Sequence, residues 1–171
     1  SMLQRNSVVP SPPVLSNTSP MIKLVGVGLL DLLPRLYHTI WIADTVQVEY
    51  ATKAAATDPD LTTLPWLMVQ PVTIDPTLAA IPRLGSGEAA TITLAQTSQA
   101  RLVILDDRRA RRIAGERGMV VVGTLGILLA AKQTRLIPAV RPVIDMMISQ
   151  GRHISDTLRA QVLQAAGEEP A

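Results

Sequence analysis

Short aliphatic runs alternate along this chain with segments of helical spacing, and that alternation limits its fold more than any other feature. The runs are "PVLS", "TIWIA", "WLMVQPV", "RLVIL" and "GMVVVGT". Each is too short for a helix, rich in β-branched residues, and followed by a stretch with turn or capping residues at its start. Strands alternating with helices are joined by right-handed crossovers, which lay the strands parallel in one sheet. The core of such a fold must be aliphatic here, because Phe is absent and Tyr37, Trp41, Tyr50 and Trp66 are the whole aromatic complement. An apolar fraction of 47% in 171 residues is enough for one α/β domain.

Between the runs, Thr18 or Ser19 can cap a first helix with Pro20 in its first turn. "GLLDLLPRLY" reads as a short helix bent near Pro34, and a further helix starts at Asp44, with Asp44 as its cap. "DPDLTTLP" reads as a loop. "GSGEAATITLAQTSQA" is a glycine turn followed by a helix, and an arginine-rich helix runs from Asp107 to about Arg117. Three helices close the chain: "LGILLAAKQT", "AVRPVIDMMISQG" and "SDTLRAQVLQAAG". Residues 1–12, with "VVPSPP", are expected to be loose or tag-derived, since Ser1 before Met2 resembles a tag scar. The domain is expected over residues 13–150, with residues 151–171 a helical tail packed on it.

Several function classes drop out. Without cysteine there are no disulfides, thiolate zinc sites or cysteine nucleophiles. No signal-peptide pattern opens the chain, and the apolar stretch 119–131 is too short to span a bilayer, so a cytoplasmic protein is expected. No strand is followed by a glycine-rich phosphate loop of the right spacing. His38 and His153 lack neighbours for a catalytic pair and read as structural or surface residues.

What remains is a set of scattered acids. Ligands of an open parallel sheet bind at the carboxyl ends of its strands, where Asn17 follows "PVLS" and Asp106 follows "RLVIL". Glu49 lies one turn into the helix after "TIWIA", and Glu88 begins the helix after "LGSG". A parallel sheet can gather such residues at one edge, where magnesium or manganese favours oxygen ligands with water completing the shell. Taken singly, each has another role: Glu88 complements a helix dipole, Asp106 and Asp107 cap a helix, Glu49 is solvated, and Asn17 holds a turn.

In order, "VLSNTSPMIKL", "WIADTVQVEY", "LGSGEAATITLA", "RLVILDDRRARRIA" and "VVGTLGILLAAKQTRLIP" resemble the PIN-domain family, with a likeness to its VapC-like toxin branch. The resemblance covers roughly residues 13–150, and "GEAA", "LDDRRAR" and "GTLG" are specific in combination. It implies a three-layer α/β/α domain with a central, mostly parallel sheet of four to five strands and extra C-terminal helices. It also implies a metal-dependent endoribonuclease, the toxin of a toxin–antitoxin pair, with Mg²⁺ or Mn²⁺ as cofactor. Carried over by position, the acidic sites fall on Asn17, Glu49, Glu88 and Asp106, with Asp107 an alternate for the last. Glu49, Glu88, Asp106 and Asp107 would then be the metal ligands, and Thr18 and Ser19 the hydroxyls beside the first site.

The departure is Asn17. The family's first position is normally aspartate, and an amide oxygen can ligate a hard cation but carries no charge and accepts no proton as a base. The substitution is open to three origins: deliberate inactivation, natural loss of catalysis, or a working site with an altered first ligand. The alternative function is therefore a non-catalytic PIN-like module that binds RNA or protein. The run of Arg108, Arg109, Arg111 and Arg112 spreads over roughly 160° of helix surface. If it starts beside the acids, Arg108, Arg109 and Arg112 would hold RNA phosphates without reading sequence. Few aromatics leave little for base stacking. The expected partners are single-stranded or structured RNA, an antitoxin protein and a second copy, the last through a contact at Met146–Met147. No membrane partner is expected.

Overall fold

A computed structural model describes residues 11–168. The expectation for residues 1–12 falls mostly on residues 1–10, which lie outside the described residues, as does the end of the tail. Five strands form one sheet: β1 (Val14–Ser16), β2 (Ile40–Ala43), β3 (Leu67–Gln70), β4 (Leu102–Ile104) and β5 (Val121–Val122). Their order is β3-β2-β1-β4-β5 and every pairing is parallel. The register sets Leu15 beside Trp41 on one side and Val103 on the other, with Ile104 beside Val122.

Nine helices flank the sheet among the described residues: α1 (Thr18–Gly26), α2 (Leu32–Tyr37), α3 (Asp44–Lys53), α4 (Pro76–Ala79), α5 (Ser86–Ser98), α6 (Arg108–Glu116), α7 (Thr124–Gln133), α8 (Arg141–Ser149) and α9 (Asp156–Ala165). α5 packs on β1, β2 and β4 and against α3, α4 and α6, whereas α7 packs against α1, α2 and α9. Central strands covered in this way are apolar along their whole length, and Val14, Leu15, Ile40, Ile42, Val103 and Ile104 are all buried.

Some local expectations change. α1 begins at Thr18 itself, so Asn17, extended at φ −82° and ψ 175°, takes the cap position, and its side chain makes no capping hydrogen bond. Ala43 likewise precedes α3, and Asp44 is the first helical residue. α2 runs through Pro34 without a break. The proline is its third residue, where the missing N–H would have had no helical partner. Residues 73–84, for which the sequence suggests no element, contain the single turn α4, capped by Asp75 and started by Pro76. Four residues are too few to show a period, so only the Asp-Pro pair signals it.

The last helices join the rest through polar anchors as well as the buried Val162 and Leu163. Glu168 accepts hydrogen bonds from the amides of Val140 (2.8 Å) and Arg141 (3.0 Å) and an ion pair from Lys132 at 3.0 Å. Burial pushes its carboxyl up, but those amides and the ammonium outweigh it and hold the pKa below the ordinary value. No helix among the described residues is long and apolar enough to cross a membrane.

Candidate active site

The strand order decides where a ligand can enter. From β1 the chain steps outward through β2 to β3, then returns to the other side of β1 for β4 and β5. The connections leave β1 and β4 in opposite directions, which opens a crevice past their carboxyl ends. Asn17 follows β1 and Asp106 follows Leu105 after β4, so the two flank that crevice. The Asn17 amide donates to the Ile104 carbonyl at 3.0 Å, which holds the two strand ends together.

Asn17 is 5% exposed, and its Oδ1 is buried with no hydrogen-bond partner among the described residues. Orphaned buried acceptors are uncommon and costly, so this oxygen is a candidate ligand atom. Glu49 comes from α3 to the same spot. A Cβ added at Gly87 would sit 2.8 Å from Glu49 Oε2 and 3.5 Å from Asn17 Oδ1, so both oxygens converge on the first turn of α5. Glycine leaves room for the Glu49 carboxylate there, which a Cβ would push aside. The Thr18 hydroxyl donates a short hydrogen bond to Glu49 Oε2 and aims the carboxylate inward. Lys53, one turn further along α3, lies 3.9 Å from its other oxygen. Ser19 follows in α1, half-buried.

Glu88 is on the same turn as Gly87. Its Oε2 accepts the Gly85 amide at 2.9 Å, the half of a capping box that a glycine cap allows. Burial pushes its pKa up. The Gly85 hydrogen bond pulls it down, while the charges of Asp107 and Glu49 raise it further and Lys53 opposes them, the net direction being upward. Glu88 therefore feels carboxylates on both sides, an arrangement that a cation would relieve.

Asp106 and Asp107 have protein partners. Thr124, at the start of α7, donates its amide to Asp106 Oδ1 at 2.7 Å and its hydroxyl to Oδ2 at 2.6 Å. Lys23 of α1 forms an ion pair with Oδ2 at 3.0 Å. Asp107 caps α6, accepting the Ala110 amide at 2.9 Å. Among the described residues no three acidic or histidine side chains are close enough to form a ready metal cluster. Of the expected acids, Glu49 is the one brought beside Asn17 at Gly87, while Glu88 feels the charges of both Asp107 and Glu49 and Asp106 is engaged by Thr124 and Lys23.

The sequence profile of a family described as a PIN domain matches residues 13–168. The chain belongs to the PIN-domain family. The match runs past residue 150 and takes in α9. No curated protein matches the chain.

A divalent cation fits the residues of this PIN domain on the near side of the crevice. Asn17 Oδ1 is an unclaimed buried oxygen, Glu49 Oε2 faces it, and Glu88 is crowded by negative charge. Magnesium and manganese take oxygen donors, often one or two carboxylates with retained waters, so two acids and an amide form a plausible donor set.

The cationic residues spread as their helix dictates. α6 buries Ala110, Ile113 and Ala114, which turns the arginines outward. Arg109 donates to the Pro82 carbonyl at 3.2 Å, and Arg112 lies 3.9 Å from Glu116. Arg108 is exposed at the start of the helix, next to Asp107. Sequence reasoning missed Lys23, Gly87 and Thr124, partners supplied by distant elements, and Lys53, one turn along the same helix as Glu49. Thr124 does lie in the "GTLG" stretch that supports the family resemblance.

Proposed function

We propose that this chain is a metal-dependent endoribonuclease of the PIN type that acts on RNA, single-stranded or structured, and is the toxin of a toxin–antitoxin pair. The observation that carries the reading is the partnerless, buried Asn17 Oδ1 facing Glu49 Oε2 at the switch point of the sheet. Asn17, Glu49 and Glu88 would hold Mg²⁺ or Mn²⁺, with Asp106 and Asp107 across the crevice. When bound, such an ion supplies an activated water and neutralises charge developing on the scissile phosphate. The chain's own residues do the rest. Thr18 keeps Glu49 aimed at the crevice, and burial raises the pKa of Glu88 above the ordinary carboxylate value. Arg108, Arg109 and Arg112 would bind the phosphates of the strand on either side, with Thr18 and Ser19 at its edge.

Asn17 lowers what this site can do. An amide contributes an oxygen without charge, and replacing a catalytic carboxylate by an amide has cost about 10⁴ in rate in a serine protease, which fixes the direction expected here. The Lys23 and Thr124 contacts of Asp106 favour a second reading, a PIN-like module that binds RNA or protein without cleaving it. Cleavage of a labelled unstructured RNA by the chain and by Asn17→Asp, in manganese and in EDTA, separates the two. The nuclease reading expects manganese-dependent cleavage that rises at least about 100-fold in Asn17→Asp. Equal inertness of both forms would leave the binding module. A partner that purifies with the chain and abolishes cleavage by Asn17→Asp is the result expected of an antitoxin.

A further inference from the structure

Beyond Asp106, on the side away from Glu49, the start of α7 and the α8–α9 pair enclose a cleft of about 370 Å³. Its two ends differ in chemistry. At the inner end Lys23, Arg111 and Thr124 surround Asp106, and His153 stands on the rim. Val122, Leu125, Met147, Ile154 and Leu158 form an aliphatic wall along the rest.

The inner end carries a surplus of positive charge. Both oxygens of Asp106 are taken by Thr124 and Lys23, so its charge is already matched by that ammonium. Arg111 is a second cation. It is exposed, and among the described residues no hydrogen bond or ion pair engages its guanidinium. The guanidinium lies close against Gly123. A Cβ at Gly123 would lie 2.5 Å from Arg111 Nη1 and 3.0 Å from Asp106 Oδ1, so the guanidinium crosses the backbone just where no side chain intervenes. Lys23 and Arg111 thus set two cations against the one carboxylate of Asp106 at the inner end. The other wall offers apolar surface, including Leu158, which is 42% exposed.

We propose that this cleft is a nucleotide subsite: Lys23 and Arg111 hold one phosphate of an RNA strand, and the aliphatic wall takes the attached ribose and base. The proposal rests on the endoribonuclease reading for its choice of RNA, since the inner end adjoins the strand-end crevice through Asp106. The size of the cleft lies within the range of small-molecule sites and suits one nucleotide rather than a folded partner. Among the described residues no Phe, Tyr or Trp lines it, and His153 supplies the one ring, so base identity is read weakly, chiefly by shape. Asp106 acts here as a positioning residue that holds Lys23 in place.

The test is binding, with cleavage suppressed. The full chain, in EDTA, is titrated with adenosine monophosphate, inorganic phosphate, adenosine, and an acidic peptide of alternating Glu and Leu, while the amide resonances of Gly123, Leu125 and Gly126 are followed. The expected result is saturable shifts with the nucleotide, at least about tenfold tighter than with phosphate or adenosine alone. Arg111→Ala should weaken nucleotide binding about fivefold or more, and Leu158→Glu should weaken the nucleotide while leaving the phosphate unchanged. Both residues are exposed, so the variants are expected to fold. The proposal is overturned if ten-millimolar nucleotide shifts none of these amides, if Arg111→Ala binds as the parent does, or if only the peptide binds. Because EDTA removes divalent cations, a site at Glu49 and Glu88 that fails to bind manganese leaves this result standing, and failure here leaves that site untouched.

Discussion

Asn17 is the point where charge, burial and ligation meet. Adding a carboxylate there would put two negative groups against the first turn of α5, since Glu49 Oε2 already lies close to the Gly87 position. At about 5 Å and an effective dielectric near 20, such a pair repels by about 3 kcal/mol. Asn17→Asp is therefore expected to lower Tm by about 5–10 °C in EDTA and to recover most of that in millimolar manganese, as a thermal scan would show. Glu88 makes a prediction of opposite form. Its folded-state pKa is raised, so the folded chain holds its proton to higher pH than the unfolded chain does. The protonated form is the stable one, and stability is lost as pH rises through the raised value. Glu88→Gln should thus match the parent near pH 4 and exceed it near pH 8. Denaturant midpoints at both values measure the difference. A variant less stable than the parent at both would count against the crowding of Glu88 by Glu49 and Asp107.

At the scale of elements, local spacing foretold the strands and long helices because each has an apolar period and a start signal of its own. β1 ends where "PVLS" ends, β4 ends one residue before "RLVIL" does, and α6 starts at Arg108 with Asp107 of the acidic pair as its cap. The caps were less legible. Thr18 has the chemistry of a cap, but its hydroxyl is drawn to Glu49 from a different helix. The same reason hid Lys23 and Thr124: nothing near them in sequence shows that they meet Asp106. Gly87 shows how an element positions the site. Gly87→Ala would press on a flexible carboxylate end, so stability should change by less than about 1 kcal/mol while manganese affinity falls about tenfold as Glu49 is displaced. The last turn behaves differently. Glu168→Ala removes an acceptor from the Val140 and Arg141 amides and from Lys132, at an expected cost of about 2 kcal/mol measured by denaturant unfolding. Because its folded-state pKa is lowered, that contribution should fade as pH falls below the unfolded value.

The whole molecule presents an acidic crevice at one strand edge, bordered by exposed cations on α6. If RNA lies there, its affinity must fall with salt, and replacing Arg108 and Arg112 by Ala should flatten the slope of log K against log salt by about 1.4. An unchanged slope would move the RNA elsewhere. A dimer, if one forms, has Met146 and Ile148 available on α8, 48% and 39% exposed, whereas Met147 is buried in the core and contributes only within the chain. These surfaces matter less than one question, whether Asn17, Glu49 and Glu88 make a cation site at all. Calorimetric titration of manganese into the chain, Asn17→Asp and Glu49→Gln answers it. The account predicts one ion per chain for Asn17→Asp, at least about tenfold weaker binding to the unaltered chain, and none measurable for Glu49→Gln. Equal affinity of all three, or no binding to any, would contradict it.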